Sequence, residues 1–250
     1  MTAGGGAKTS SGMQREAKMA TVSQRSPLGG LVAGLLGVSM AAMPVAPAMA
    51  CSDIVLQGKG GRSVSARTVD FEVDLQQRFV LVGRNQAWQS NAPGNARGVS
   101  WRNKLGFVGA NTLDEIDNMF DGINEAGLGV GILWIDEADY PTPTNPATAL
   151  SVLDLAAYVL GQFRNVGEVK AALAKVTVWG EFSAEIKEVL PAHLVVHDAD
   201  GASAVFEWIG GTLRVYDRDY AGVMTNDPAY PVQLARISHR SGCIGPRNLR

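Results

Sequence analysis

The sequence predicts an α+β domain built from antiparallel sheets, and three observations support this prediction. Short strand patterns, mostly bounded by glycines, fill the first part of the chain after residue 50. Two adjacent stretches with helical spacing of apolar residues come next, and three further strand patterns follow them. A run of strands, then two helices, then strands again is typical of a layered α+β domain. No internal repeat or linker-like tract divides the chain after residue 50, so we predict one domain.

The first two strands are predicted to form a hairpin. Residues 52–56 show a strand pattern, residues 57–62 contain three glycines and predict a turn, and residues 63–69 form the return strand. Cys51 would therefore stand at the start of a paired strand. The other strands predicted in this part of the chain are 78–83, 98–101, 106–110, 119–123 and 128–134.

The middle of the chain is predicted to be helical. Apolar residues recur at helical spacing over 148–163 and again over 166–176, with a break at Arg164-Asn165. The chain then returns to strands, which are predicted over 193–197, 203–208 and 212–216 and are separated by turn-rich sequence. A further strand-like segment is predicted over 221–223.

The composition excludes several functional classes. The chain has 250 residues, of which 46% are hydrophobic and 18% charged, and this suits a folded protein with a sizeable core. Its formal net charge of −2 gives no excess of basic residues that would attract nucleic acid or an anionic membrane surface. The two cysteines, Cys51 and Cys243, exclude a disulfide-dense scaffold, a four-cysteine zinc site and an iron–sulfur cluster. The carboxylates between Asp114 and Asp139 match no calcium-loop spacing, so we interpret them as solvated turns and predict no metal site.

Residues 1–50 have the three-part pattern of a secretory signal peptide. Four basic residues precede an apolar, small-residue run from Leu28 to Ala46, and Ala48 and Ala50 occupy the positions of an A-x-A cleavage site. Glycines, a serine and a proline interrupt the run, which makes it too weak for a bilayer span of about 20 apolar residues, and we predict no stable membrane insertion. A cut after Ala50 would make Cys51 the first residue of a periplasmic or secreted protein.

A second interpretation of Cys51 stays open. A bacterial lipoprotein signal also ends directly before a cysteine, whose thiol and amine are then acylated, so that the cysteine is an anchor. Such signals usually have a larger aliphatic residue three positions before the cysteine, where this chain has Ala48. The two interpretations exclude each other, because acylation removes the free amine.

As an N-terminal residue, Cys51 would combine two groups that catalysis otherwise takes from separate residues. Its thiol has a reference pKa of about 8.5 and its α-amine one of about 7.7 to 8, so the amine can accept the thiol proton near neutral pH. This is the N-terminal form of nucleophile activation, and it needs no histidine. Core or surface roles are therefore predicted for His193, His197 and His239.

Two other segments carry candidate site residues. The return strand would bring Arg67 and Asp70 toward Cys51, where a guanidinium stabilises a thiolate and a carboxylate orients an amine. From the spacing alone, an exposed cross-strand ion pair is an equal alternative. The side-chain amide of Asn226 could donate to an oxyanion, although Asn-Asp-Pro is also ordinary turn sequence.

Together these segments resemble one protein family. The resemblance is carried by Cys51 after a cleavable leader, Arg67-Thr-x-Asp70, Asp121-Gly-Ile-Asn-Glu-Ala-Gly-Leu128, Ile132-Leu-Trp134 followed by Asp139-Tyr-Pro141, and Met224-Thr-Asn226-Asp-Pro. In this order they are similar to the choloylglycine hydrolase family of penicillin V acylases and conjugated bile salt hydrolases, and most of all to its Gram-negative, secreted branch. The resemblance covers residues 51–234 and implies an N-terminal nucleophile hydrolase with a four-layer αββα sandwich of antiparallel sheets.

The resemblance also implies a reaction and its residues. The enzyme would be a linear amide C–N hydrolase that works through a thioester acyl-enzyme, with Cys51 as both nucleophile and base. Arg67 and Asp70 would be its electrostatic partners, and the Asn226 side chain would be an oxyanion donor. Neither a metal nor a cofactor is implied.

The second oxyanion donor and the substrate are implied less directly. A backbone amide near Leu133 would be the second donor, and Trp134 would line an acyl or aromatic pocket unless it belongs to the core. Bile salt hydrolases have an asparagine in this region, whereas this chain reads Ile132-Leu-Trp134. Penicillin V or an N-acyl homoserine lactone is therefore expected as the small-molecule substrate ahead of bile salts. The resemblance implies a homotetramer.

The resemblance ends soon after Leu234. Residues 235–250 are polar and basic, and no residue can be assigned to a further active-site arginine of the family. We expect a divergent tail on a C-terminally truncated sandwich, with exposed sheet edges and apolar faces and with weak or absent activity. A remnant that binds acyl ligands without turnover is the alternative. Cys243 is expected to be a free thiol, since a disulfide with Cys51 would block the nucleophile.

Overall fold

The computed structural model describes residues 51–58, 63–71, 74–112, 115–217 and 220–240. The predicted leader over 1–50, most of the predicted hairpin turn, and Cys243 lie outside these residues. The α+β class with antiparallel sheets is confirmed.

The described residues form sixteen strands and three α-helices. The strands are β1 Ser52–Gln57, β2 Ser63–Thr68, β3 Phe79–Val82, β4 Ala87–Ala92, β5 Ala96–Arg102, β6 Phe107–Thr112, β7 Glu115–Asn124, β8 Gly129–Trp134, β9 Ala149–Ser151, β10 Thr177–Trp179, β11 Phe182–Ser183, β12 Glu188–Val189, β13 Ala192–His197, β14 Ser203–Ile209, β15 Thr212–Tyr216 and β16 Val223–Thr225. The helices are α1 Leu155–Gln162, α2 Val166–Leu173 and α3 Tyr230–Arg240.

A seven-stranded antiparallel sheet forms the centre of the molecule. Its strand order is β15-β14-β13-β8-β7-β6-β3. Helix α1 packs on β7 and β8, and its buried side chains join those of the sheet in the main apolar core. The predicted run of strands, helices and strands therefore becomes a helical layer against one face of this sheet.

The turn between β7 and β8 is held by Asn124. Its side-chain oxygen accepts hydrogen bonds from the backbone amides of Ala126 and Leu128, and its amide group donates to the carbonyls of Leu160 and Phe163. This side chain is only 4% exposed, and both its oxygen and its NH2 group have hydrogen-bond partners. These bonds fix the turn and attach it to α1. Asn124 therefore has a structural role in this turn.

A smaller sheet of three antiparallel strands has the order β16-β1-β2. It confirms the predicted hairpin, with Ser52 opposite Thr68 and Gln57 opposite Ser63. Alternate residues of the first strand face inward, so that Cys51, Asp53 and Val55 are buried while Ile54 and Leu56 are exposed. A second, small core lies between the two sheets; its buried members are Cys51, Leu133, Val195, Val205, Met224 and Tyr230.

Several predicted elements differ from the structure. The predicted helix over 148–163 begins instead with β9 and a 3-10 turn over Val152–Asp154, and α1 covers only its second half. The strand-like segment predicted at 221–223 is displaced to β16, Val223–Thr225. The strands β4, β9, β10, β11 and β12 and the helix α3 were not predicted.

Two apolar faces of the described residues are exposed. Leu81, Val108 and Ile123 stand opposite one another on β3, β6 and β7, and Leu81 is 81% exposed. Leu56 and Val64 form a second exposed pair on the outer face of the β1–β2 hairpin. Faces of this kind are common sites of association.

Among the helices that the structure describes, none has the length and apolar character that a membrane crossing requires.

Candidate active site

Three segments that are far apart in sequence meet at one end of the small sheet. Cys51 directly precedes β1, Asn226 follows β16, and Val69 and Asp70 follow β2. Their proximity follows from the register, because Ser52 is paired with Thr225 on one side and with Thr68 on the other. The backbone amide of Asn226 donates to the carbonyl of Cys51 at 3.2 Å, which extends the ladder to the predicted nucleophile.

Cys51 is a free, buried thiol. It is 6% exposed, and its Sγ donates to the backbone carbonyl of Asp70 at 3.7 Å. The Asp70 carboxylate, by contrast, lies on an exposed residue. The structure thus brings Asp70 to the sulfur through its backbone.

Arg67 occupies the gap where two strands of the large sheet separate. The ladder between β7 and β8 ends at the pair Asp121 and Gly131, and the Arg67 guanidinium donates to the next carbonyl on each strand, that of Phe120 at 3.1 Å and that of Ile132 at 2.6 Å. Its carbon Cζ also lies 5.1 Å from the centre of the Phe120 ring. Its side chain is only 7% exposed, so this is a buried cation and the exposed ion pair offered as an alternative is wrong.

A carboxylate accompanies this cation. Arg67 Nη1 lies 3.5 Å from Asp121 Oδ2, and burial raises the pKa of the Asp121 carboxyl while the charge of Arg67 opposes that rise. Gly131 accommodates the guanidinium, because a Cβ at this position would lie 3.3 Å from Arg67 Nη1. Among the described residues, the hydrogen bonds of Arg67 go to the sheet and not to Cys51 Sγ.

Asn226 is buried beside β8, and a backbone amide determines its orientation. The amide of Trp134 donates to Asn226 Oδ1 at 3.2 Å, which places the side-chain NH2 at the opposite end of the group. The second oxyanion donor, a backbone amide near Leu133, stays a prediction. Trp134 and Ile132 direct their backbone groups toward Asn226 and Arg67, so by strand alternation the amide of Leu133 faces β13, where Leu133 is paired with His193.

An apolar pocket of roughly 660 Å3, its open mouth included, adjoins Cys51. Trp134 lies in its wall, with its ring 5.8 Å from that of Phe71 and its Nε1 donating to Asp136 Oδ1. Its contact with a substrate stays a prediction. The apolar lining residues besides Trp134 are Val69, Phe71, Leu75, Phe120, Ile132, Leu133, Leu153, Ile186 and Leu190. Such a lining suits an apolar group with one reactive bond near the sulfur.

The structure adds residues that the sequence analysis did not assign. Asp121 was part of a recognised motif but had no role, although a carboxylate beside a buried arginine is its expected counter-charge. Asp53 is buried two residues after Cys51 on the same face of β1, and strand alternation alone could have indicated it. Among the described residues, no cluster of three or more His, Cys, Asp or Glu side chains is arranged to hold a metal ion.

The contacts of Arg67 predict a large loss of stability when the guanidinium is removed. We expect Arg67→Met to lower the free energy of unfolding by about 3–5 kcal/mol, because two buried carbonyls and the partly buried Asp121 carboxylate lose their donor. Urea unfolding of the chain from Cys51 onward measures this change.

The matched control is Arg84→Met. Arg84 also pairs with a carboxylate, that of Glu125, but its side chain is 63% exposed, and we expect a much smaller loss of stability because water screens the pair. Equal losses in the two variants would contradict the buried role of Arg67.

The fold is that of the N-terminal nucleophile hydrolases, the class to which the similar solved structures belong. A family model described as linear amide C–N hydrolases, choloylglycine hydrolase family, matches residues 51–243. The chain belongs to this family, as the motifs of the sequence indicated.

Individual relatives agree with this membership. A penicillin V acylase from Pectobacterium atrosepticum is 30% identical over 179 residues, which are 68% of this chain and 47% of that protein. A bile salt hydrolase/transferase from Clostridium perfringens is 27% identical over 77% of this chain and 58% of that protein. The solved structure of penicillin V acylase from Agrobacterium tumefaciens superposes with a TM-score of 0.67 at 30% identity, over 78% of this chain and 58% of that one. The chain therefore spans about half the length of the relatives it matches.

Proposed function

We propose that the protein, cut after Ala50, hydrolyses the amide bond of small N-acyl compounds with Cys51 as its nucleophile. One observation carries this proposal: the buried free thiol of Cys51 lines an apolar pocket, and the backbone carbonyl of the same residue accepts from the amide of Asn226. Membership of a linear amide hydrolase family supports the class of reaction. The proposal includes export of the mature protein to the periplasm or medium, and assembly into a homotetramer.

The first half of the proposed reaction forms a thioester. The α-amine of Cys51 takes the proton from Sγ, and the thiolate attacks the carbonyl carbon of the bound amide. The negative charge that develops on the carbonyl oxygen is stabilised by the side-chain NH2 of Asn226, whose direction is fixed by the amide of Trp134. The C–N bond then breaks, and the leaving amine takes the proton from the α-ammonium.

The second half releases the acid. Water gives a proton to the α-amine and attacks the thioester carbonyl, and the same oxyanion donor stabilises the second tetrahedral intermediate. When the C–S bond breaks, the thiolate recovers a proton and the carboxylic acid leaves. Each step uses groups of the chain and water only.

The pocket indicates which part of the substrate it binds. Its wall is mainly aromatic and aliphatic, so burial of an apolar acyl group supplies most of the binding free energy, at about 25 cal/mol per Å2 of apolar surface. We therefore propose a phenoxyacetyl group, as in penicillin V, or the fatty acyl chain of an N-acyl homoserine lactone as the bound part.

Trapping the thioester tests this function. The chain from Cys51 onward is mixed with penicillin V or a long-chain N-acyl homoserine lactone, quenched in acid within the first turnover, and analysed by intact mass and peptide mapping. We expect one acyl group on Cys51 and release of the free amine. Ligand binding without any acyl adduct or amine release would identify a non-catalytic acyl-binding protein and overturn the proposal. An Sγ and amine already acylated in exported material would identify the lipoprotein.

A further inference from the structure

A buried hydrogen-bond network lies next to the candidate nucleophile and has no part in the proposed reaction. Asp53 Oδ1 accepts from His197 Nε2 at 2.7 Å and from the Tyr220 hydroxyl at 3.2 Å. The other ring nitrogen of His197, Nδ1, lies 2.8 Å from Ser203 Oγ. Asp53 and His197 are 4% and 6% exposed, so this is an interior network.

The network joins the two sheets. Asp53 belongs to β1 in the centre of the small sheet, whereas His197 and Ser203 belong to β13 and β14 of the large sheet. Tyr220 precedes β16, and burial together with the charge of Asp53 raises its pKa, so its hydroxyl stays protonated and donates. The carboxylate is thus the point at which three segments of the chain meet.

Asp53 is not hydrogen-bonded to the cation that lies opposite it in the strand pairing. Arg67 stands directly opposite it on β2, but the guanidinium is directed to the carbonyls of Phe120 and Ile132 and to Asp121. A buried carboxylate is costly unless hydrogen bonds satisfy it, and here His197 and Tyr220 do so. Among the described residues, the His197–Asp53 bond is therefore a direct polar connection between the large sheet and β1.

The hydrogen bond between His197 and Asp53 lies close to Cys51 along β1, and its role follows from this position. Cys51 and Asp53 are two residues apart on the same face of the strand, which corresponds to about 7 Å. A shift of β1 relative to the large sheet would move Sγ with respect to the pocket wall, since Leu133 and Trp134 belong to β8 of that sheet. Misplacement by about 1 Å can cost roughly 100-fold in rate.

We propose that Asp53 and His197 are positioning residues, whose hydrogen bond holds β1 against the seven-stranded sheet and so fixes Cys51 relative to Asn226 and the acyl pocket. Neither side chain touches the reacting atoms. The effect on turnover rests on the proposed function, whereas the effect on the placement of Cys51 does not.

The test compares His197→Leu with two matched variants in the chain from Cys51 onward, with Cys243→Ser so that a single thiol remains. His197→Gln keeps an N–H group that can reach Asp53, and Ser203→Ala removes the other partner of the histidine while leaving the connection between the sheets. Two kinds of measurement are made well below the melting temperature: the kinetics of penicillin V hydrolysis, with kcat per titrated Cys51 and KM, and the rate at which a bulky maleimide alkylates Cys51.

We expect the two readouts to move in opposite directions in His197→Leu. The value of kcat should fall 10- to 100-fold while KM stays within about twofold, and alkylation of the loosened, normally buried thiol should become at least several-fold faster. His197→Gln should recover most of kcat, and Ser203→Ala should stay within about twofold of the parent protein in both readouts.

Two results would overturn the positioning role. One is a His197→Leu protein with an unchanged kcat per site and unchanged alkylation, even if its melting temperature falls, since that is the signature of a purely structural bond. The other is an equal loss in His197→Leu and His197→Gln. If His197→Leu does not fold, Asp53→Asn replaces it, because this change keeps the shape of the side chain but removes its charge. We then expect the same changes in kcat and in the alkylation rate, but smaller ones. If the parent protein shows no turnover that depends on Cys51, the proposed function fails, and the alkylation rates still decide the positioning role.

Discussion

Replacing Cys51 by alanine in the mature chain is expected to lower hydrolysis of penicillin V by at least about 10,000-fold. The thiol is the only group that the proposed reaction offers to the carbonyl carbon, and loss of an enzyme nucleophile typically leaves only the small acceleration that comes from binding and oxyanion stabilisation. Amine release measured by chromatography gives the rate. Substrate binding should survive, because the apolar wall of the pocket is unchanged.

Two companion variants make this result specific. Cys51→Ser keeps a weaker nucleophile and should retain slight activity, since a hydroxyl is far less ionised than a thiol at neutral pH. Cys243→Ser removes the other cysteine of the chain and should leave the rate unchanged. Equal turnover in the parent protein and in Cys51→Ala would refute the assignment of the nucleophile.

Retention of a single leader residue is expected to be almost as damaging as loss of the thiol. With Ala50 still attached, the nitrogen of Cys51 is an amide and cannot accept a proton, whereas the free α-amine has a pKa of about 7.7 to 8. General acid–base catalysis of this kind contributes about 100- to 10,000-fold, and we expect a loss in that range. The measurement compares a chain that begins at Ala50 with one that begins at Cys51.

The same sample can provide the control. Brief digestion with an aminopeptidase removes Ala50, and activity should recover in proportion to the fraction of chains that begin with cysteine by intact mass. Full activity in the undigested, extended protein would show that the amine of Cys51 is not the base, even if the thiol is the nucleophile.

The sequence predicted most of the elements that form the centre of the fold. Residues 129–134, 192–197, 203–209 and 212–216 were predicted to within one residue, because each is a short, mainly apolar run bounded by turn residues. The error over 148–163 has a definite cause: Ala149, Leu150 and Val152 continue the apolar periodicity of the helix, although they are buried in a short strand and a 3-10 turn. Apolar spacing over a few residues does not distinguish these alternatives.

The candidate site shows a similar division. The sequence motifs indicated which side chains belong to the site, and the structure brings Cys51, Arg67 and Asn226 to the same end of the small sheet. The motifs did not predict the orientations of these side chains. Arg67 donates to two strand carbonyls, and the backbone amide of Trp134 donates to the side chain of Asn226.

The sequence by itself determined the class of the fold, the family, and the chemical groups available to the site, because these depend on local periodicity and on the identity of residues in short motifs. Only the tertiary structure decided which groups meet. The connection from Asp53 to His197 joins residues 144 positions apart, and its formation depends on how two sheets pack. Alternation along a strand tells which residues share a face, but the register and packing of distant strands decide what that face contacts.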